Sequence, residues 1–229
     1  MFPYAFKAED IRDKLDANKL EMVLFNMAPG HWDRGERGFA ALPGREDDFA
    51  SAVDLALTYA ETLGCPRLHA MAGLVDPGAC REAYVANLTM AAAWAAEEDI
   101  EVLIEPINTR DMPGYFLTRT EEAIDIIREV AAPNLKLQFD LYHRHIMQGG
   151  VEEAIRTFAP VSGHIQCASP PDRGEPDQGD LDYKNLFRLI DQTGYQGWIG
   201  CEYKPRGAPL DGLGWPARCG VTLAGSGGA

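Results

Sequence analysis

The stretch Ile100-Glu101-Val102-Leu103-Ile104-Glu105 decides the fold. Its central apolar run is the length of one strand, and helical patterns flank it, over Cys80–Glu97 before and Arg119–Val130 after. An apolar run bounded in this way reads as a strand buried on both faces.

Outward from this stretch the same alternation recurs in both directions. Strands are expected at Leu20–Phe25, Arg67–Ala72, Leu135–Asp140, Gly163–Ala168 and Trp198–Tyr203, and helices at Ala8–Ala17, Glu46–Leu63, Val151–Phe158 and Tyr183–Thr193. In the helices apolar residues return every three or four positions, and Gly64, Pro133 and Gly194 supply stop signals. Repeated strand and helix units imply parallel strands, which need crossover helices. That leaves a closed barrel or an open doubly wound sheet. The open nucleotide-binding sheet announces itself with a glycine-rich turn, and neither GxGxxG nor GxxxxGK[ST] occurs in the chain. An α/β TIM (β/α) barrel is therefore expected, incomplete, with about six of eight strands. The chain's 229 residues fall short of the roughly 250 of a full barrel, and the deficit is expected at the front.

One domain is expected over residues 1–215. The end of the chain, 216–229, closes on Leu223-Ala-Gly-Ser-Gly-Gly-Ala229 and is read as a flexible tail, because such a composition buries too little apolar area to order itself. No apolar run reaches the roughly 18 residues that cross a bilayer, and no leader is apparent, so a cytoplasmic location is expected. Five scattered cysteines with no CxxC pair read as reduced core thiols. A formal net charge of -14 repels a phosphate backbone, which excludes nucleic acid as the expected partner and favours a small molecule. Self-association into a homo-oligomer stays open.

Four polar residues end successive expected strands: Glu105, Asp140, Gln166 and Glu202. Their spacings of 35, 26 and 36 residues are near the roughly 31 that one of eight units takes in a barrel of about 250. The C-terminal rim is where such barrels build their sites. A single acidic residue at a strand end is more often a solvated group or a helix cap, but four in register point to a common centre. Three carboxylates and an amide are oxygen ligands for a hard divalent metal ion, Mg²⁺ or Mn²⁺ before others, and the carboxylates would repel one another without a cation.

His143 follows Asp140 by three residues, and His164 shares a strand face with Gln166 through the period of two. Both are substrate-binding candidates, although a lone strand histidine is more often a bonded core residue. His31, His69 and His145 have no comparable companions. The proline-rich Pro170-Pro-Asp-Arg-Gly-Glu-Pro176 is stiff enough to hold Arg173 over the rim for an anionic substrate, with a plain surface loop nearly as good a reading. Asn26, just after the first expected strand, joins the substrate-binding candidates. The glycine-rich stretch 25–38 is too polar for a helix and reads as a lid.

The segments Leu24-Phe-Asn-Met-Ala-Pro-Gly30, Gly35-Glu-Arg-Gly38, Leu42-Pro-Gly-Arg-Glu46, Ile104-Glu-Pro-Ile-Asn108, Gly163-His-Ile-Gln166 and Gly197-Trp-Ile-Gly-Cys-Glu-Tyr-Lys-Pro205 closely resemble the hydroxypyruvate isomerases, over residues 1 to about 215. The resemblance implies the xylose-isomerase-like barrel and interconversion of hydroxypyruvate and tartronate semialdehyde, with Glu105 and Glu202 as the acid-base pair. The 2-oxo-tetronate isomerases share the first and last of these segments. Met112-Pro-Gly after Ile-Glu-Pro-Ile-Asn looks more like the hydroxypyruvate enzymes. Family members carry a strand, a helix and a second strand before the equivalent of Phe2, so an N-terminal β-α-β segment is expected to be missing. Two lost strands would leave parallel edges unpaired, and an inactive fragment with a structural or self-association role is the alternative from another class. An abasic-site endonuclease on this fold would need several metal-ligating histidines and a cationic face, which five histidines and the acidic charge oppose.

Overall fold

The computed structural model describes residues 2–222 and separates into two compact units, 1–138 and 139–229. Of the expected tail, 223–229 lie outside the described residues.

In the first unit the order is α1 (Ala8–Asn18), β1 (Phe25–Asn26), α2 (Glu46–Leu63), β2 (Arg67–His69), α3 (Arg81–Ala96), β3 (Glu101–Ile104) and α4 (Thr120–Val130), followed by the start of β4 (Leu135–Asp140). The strands are parallel neighbours in chain order, with Asn26 opposite His69, His69 opposite Leu103 and Ile104 opposite Leu137. Leu68, Val102, Leu103, Ile104 and Leu137 are fully buried, as are Val53, Leu63, Leu88 and Ala91 of the helices. Burial on both faces is why these strands read as apolar runs without alternation. Helix α2 begins on Glu46, Asp47 and Asp48, which complement its N-terminal dipole, and ends on Gly64 at φ 60°.

The second unit holds the end of β4, then α5 (Leu141–Met147), α6 (Val151–Phe158), β5 (Ser162–Cys167), α7 (Tyr183–Gln192), β6 (Ile199–Cys201) and α8 (Trp215–Arg218). Strands β5 and β6 run parallel, with Gln166 opposite Gly200 and Cys167 opposite Cys201. Phe139, Ile155, Ile165, Tyr183, Leu186 and Ile190 form its core.

Among the described residues six strands alternate with helices, which matches the α/β reading; β1 is confined to Phe25–Asn26 where Leu20–Phe25 was expected, and three further stretches depart from expectation. Helix α5 is absent from the sequence reading because its seven residues include Tyr142, His143, Arg144 and His145. Its start is set by Asp140, whose Oδ1 accepts from Tyr142 N at 2.7 Å and His143 N at 3.0 Å. The stretch read as a lid is tied down: Gly38 bridges Ala72, Ala40 N donates to Met71 O at 3.3 Å, and a short helical turn spans Trp32–Arg34. Within it the Glu36 carboxylate accepts from His31 N and pairs with Arg45 at 2.8 Å. Finally, Pro216 and Cys219 are buried around α8, inside the stretch expected to be a tail.

All five cysteines are free thiols; Cys65, Cys167 and Cys219 are core residues, whereas Cys201 is exposed, contrary to the core reading. Among the described residues no helix is long and apolar enough to cross a membrane.

Candidate functional site

In the first unit the strand ends place polar side chains next to one another by register. Asn26 and His69 are partners on β1 and β2, and Asn26 Oδ1 lies 3.2 Å from His69 Nδ1. Glu105 is one residue past β3, where the β3–β4 register puts it beside Gln138, and Gln138 Nε2 donates to Glu105 Oε2 at 2.8 Å. His69 Nδ1 is 3.7 Å from the same oxygen. His69, Glu105 and Gln138 are all buried. A carboxylate taken out of water in this way must be matched by donors or a cation.

His69 was given no companion by the sequence, and the structure corrects that: Asn26 and Glu105 both reach it. Spacing along one strand does not encode these contacts, which arise across strands. Gln138 was missed too, although it precedes Asp140 by two on β4 and so shares its face, the same signal that singled out His164 before Gln166.

In the second unit, Asp140 ends β4 and caps α5 with Oδ1. Its Oδ2 is buried without a hydrogen bond and lies 3.9 Å from His143 Nε2. Asp140 and His143 are both about 3% exposed. An uncompensated carboxylate oxygen beside a buried imidazole is a donor arrangement suited to a metal ion.

Gln166, on β5, faces Gly200 of β6. The missing side chain lets Gln166 reach past it to Glu202, and Nε2 donates to Glu202 Oε2 at 2.9 Å. The same glycine makes room for His164: a Cβ on Gly200 would stand 2.7 Å from His164 Nε2. The Arg173 guanidinium is 3.2 Å from Glu202 Oε2 and 5.3 Å above the Tyr142 ring. Arg173 has φ 59° and its carbonyl accepts from Lys204 N at 2.7 Å, which holds the 170–176 loop against the strand end after Glu202. Glu175 of that loop is buried and paired with Arg206 at 2.9 Å.

Thus the first unit gathers Asn26 and Glu105, and the second gathers Asp140 with His143 and Gln166 with Glu202 and Arg173. Each of the four expected ligands stands within one residue of the C-terminal end of its strand.

The chain also matches known proteins over most of its length. The chain is 52% identical over 219 residues to the 2-oxo-tetronate isomerase of Cupriavidus necator, covering 94% of this chain and 84% of that one. It is 42% identical over 219 residues to the hydroxypyruvate isomerase of Escherichia coli, covering 94% and 85%. A solved structure from Brucella melitensis, titled AP endonuclease, family 2, superposes with a TM-score of 0.91 at 47% identity, covering 94% of this chain and 85% of that one. Residues 2–219 match the model of one family across both compact units, and with strand-end carboxylates on parallel strands the chain belongs to the xylose isomerase-like TIM barrel family.

Proposed function

We propose that this chain, an isomerase of sugar acids by its kinship, is metal-dependent and moves a proton between adjacent carbons of a small 2-oxo acid with a neighbouring hydroxyl. The observation that carries the reading is the placement of Glu105, Asp140, Gln166 and Glu202 at four strand ends in a member of this family. Family alone would not suffice, since one barrel hosts many reactions.

The residues fit a divalent cation. Asp140 Oδ2 is a buried carboxylate oxygen with no hydrogen bond, Glu105 is buried, and Gln166, whose nitrogen donates to Glu202, is an oxygen ligand through its amide carbonyl. We assign Glu105, Asp140, Gln166 and Glu202 as the ligands, and the all-oxygen set favours Mg²⁺ or Mn²⁺. When bound, such an ion supplies Lewis-acid stabilisation of negative charge on substrate oxygen.

Glu105 and Glu202 serve as the acid-base pair. One removes the proton next to the carbonyl and the other returns a proton to the neighbouring carbon, so the substrate passes through an enediolate. Gln138 and His69 hold the Glu105 carboxylate, while Gln166 and Arg173 hold that of Glu202. Arg173 carries the positive charge for the substrate carboxylate, and His143, His164 and Asn26 supply hydrogen bonds to its oxygens. Residues 1–215 as one domain, a cytoplasmic location and association into a homo-oligomer belong to the same proposal.

Two substrates compete. The segment Ile104–Asn108 with Met112-Pro-Gly favours hydroxypyruvate and tartronate semialdehyde, while 52% identity to a 2-oxo-tetronate isomerase favours the longer acid. A net charge of -14 opposes a nuclease role. The test is proton NMR in D₂O with Mg²⁺, with and without EDTA, on each acid in turn. Deuterium incorporation and product from either acid, abolished by EDTA, supports the reading and names the substrate. Absence of exchange on both acids by a folded, metal-loaded chain overturns it.

A further inference from the structure

The pair Cys167 and Cys201 plays no part in the reaction proposed above, yet its geometry is specific. The two are register partners on the parallel strands β5 and β6, and their sulfurs are 3.9 Å apart. Paired strands lie about 4.8 Å from one another, inside the roughly 4.4–6.8 Å that a disulfide requires between Cα atoms. Partners in register point to the same face of a sheet. The remaining distance between the sulfurs is therefore a matter of side-chain rotation, not of moving the backbone.

Exposure divides the roles. Cys201 is exposed and Cys167 is fully buried, so an oxidant in water meets Cys201 first. Their neighbours in sequence are Gln166 and Glu202, which face the other side of the strands by alternation. The sulfurs thus stand behind the polar pair, off the surface where substrate is proposed to bind.

We propose that Cys167 and Cys201 form a redox-modifiable thiol pair, in which a hydroperoxide oxidises Cys201 and Cys167 then closes a disulfide between β5 and β6. In the first step the Cys201 sulfur attacks the terminal oxygen of the hydroperoxide. An S–O bond forms, the O–O bond breaks, and an alcohol, or water from hydrogen peroxide, leaves with the displaced oxygen. In the second step the Cys167 sulfur attacks the sulfenic sulfur of Cys201. The S–S bond forms, the S–O bond breaks, and water leaves with the Cys167 proton. Two thiols have lost two electrons together, and the hydroperoxide has gained them. The product ties together the two strand ends that carry Gln166 and Glu202.

The experiment treats the full chain with hydrogen peroxide, alkylates it under denaturing conditions and reads intact mass and linked peptides. The expected result is the loss of two of the five alkylation adducts, with a peptide joining Cys167 to Cys201 that dithiothreitol releases. Cys167→Ser removes the second sulfur and is expected to leave a sulfenic acid on Cys201 that dimedone captures. Cys201→Ser is expected to keep every remaining thiol open to alkylation. Five adducts on the peroxide-treated chain, or a link through Cys65, Cys80, Cys219 or a second chain, overturns the proposal. None of these readouts requires isomerase activity, so the thiol pair and the proposed reaction stand or fall separately.

Discussion

Gln166 Nε2 donates to Glu202 Oε2 across 2.9 Å, and the Arg173 guanidinium stands 3.2 Å from that same oxygen. One carboxylate oxygen thus takes an amide proton and a cation together, while Gly200, the residue of β6 opposite Gln166, offers no side chain to block the reach. Both contacts fix the position of the Glu202 carboxylate one residue past the end of β6.

From this follows the first prediction, that Glu202→Gln lowers kcat/KM by about 10²–10⁴, the usual weight of a positioned acid or base, and also lowers bound metal. Glu202 is more than half exposed in its side chain, so the fold tolerates the change and thermal stability is expected to hold. Steady-state kinetics, elemental analysis and a melting curve on one preparation check the three parts. A variant that isomerises at the wild-type rate removes Glu202 from the mechanism.

Asp140 carries two duties on two oxygens. Oδ1 caps α5 and Oδ2 is buried without a hydrogen bond. Asp140→Asn keeps a capping oxygen and removes the charge, so the metal-free variant is expected to melt close to wild type while losing the stabilisation that metal confers. That stabilisation is about 2.7 kcal/mol for wild type at a hundred times Kd. Asp140→Ala also removes the cap and is expected to cost a further 0.5–2 kcal/mol or so. Melting curves in EDTA and in excess Mg²⁺ separate the two duties; equal metal stabilisation in wild type and Asp140→Asn rules out Asp140 as a ligand.

The loop that reads as a lid makes a prediction about pH. A hydrogen bond from the His31 backbone and then the Arg45 guanidinium hold the Glu36 carboxyl below its usual range. A carboxyl whose pKa is lowered on folding adds stability above its unfolded value, about 4.3, and loses it as pH falls through the folded value. Wild type is therefore expected to exceed Glu36→Gln in stability at pH 7, with the gap closing as the solution is acidified below about pH 4. Urea titrations at several pH values measure the gap. A gap that is constant across the range contradicts the assignment.

The strand and helix pattern was legible because burial on both faces turns each parallel strand into an apolar run. Hence β4 (Leu135–Asp140), α2 (Glu46–Leu63) and α6 (Val151–Phe158) were read to the residue. Strand ends were legible for a related reason: Glu105, Asp140, Gln166 and Glu202 are polar residues that interrupt the apolar runs. What one strand alone does not disclose is register. Asn26 with His69 and Glu105 with Gln138 are relations between strands that no spacing along the chain encodes, and so His69 and Gln138 were passed over. Helix α5 was hidden by its polarity, although Asp140 was its starting signal.

Register also gives the last prediction. Gly200 faces Gln166, and a Cβ at this position would lie 2.7 Å from His164 Nε2 and 3.3 Å from Gln166 Cγ. The His164 imidazole is almost wholly buried, so Gly200→Ala forces a packed ring to move, at a cost of about 1–3 kcal/mol. If His164 binds substrate, the displaced ring is expected to raise KM, and the pushed Gln166 amide to weaken its bond to Glu202 and lower kcat. Kinetics of Gly200→Ala beside His164→Ala divides these effects: a KM rise shared by both variants supports His164 at the substrate, whereas a kcat loss confined to Gly200→Ala acts through Gln166. Wild-type kinetics in both variants removes His164 from the substrate-binding set.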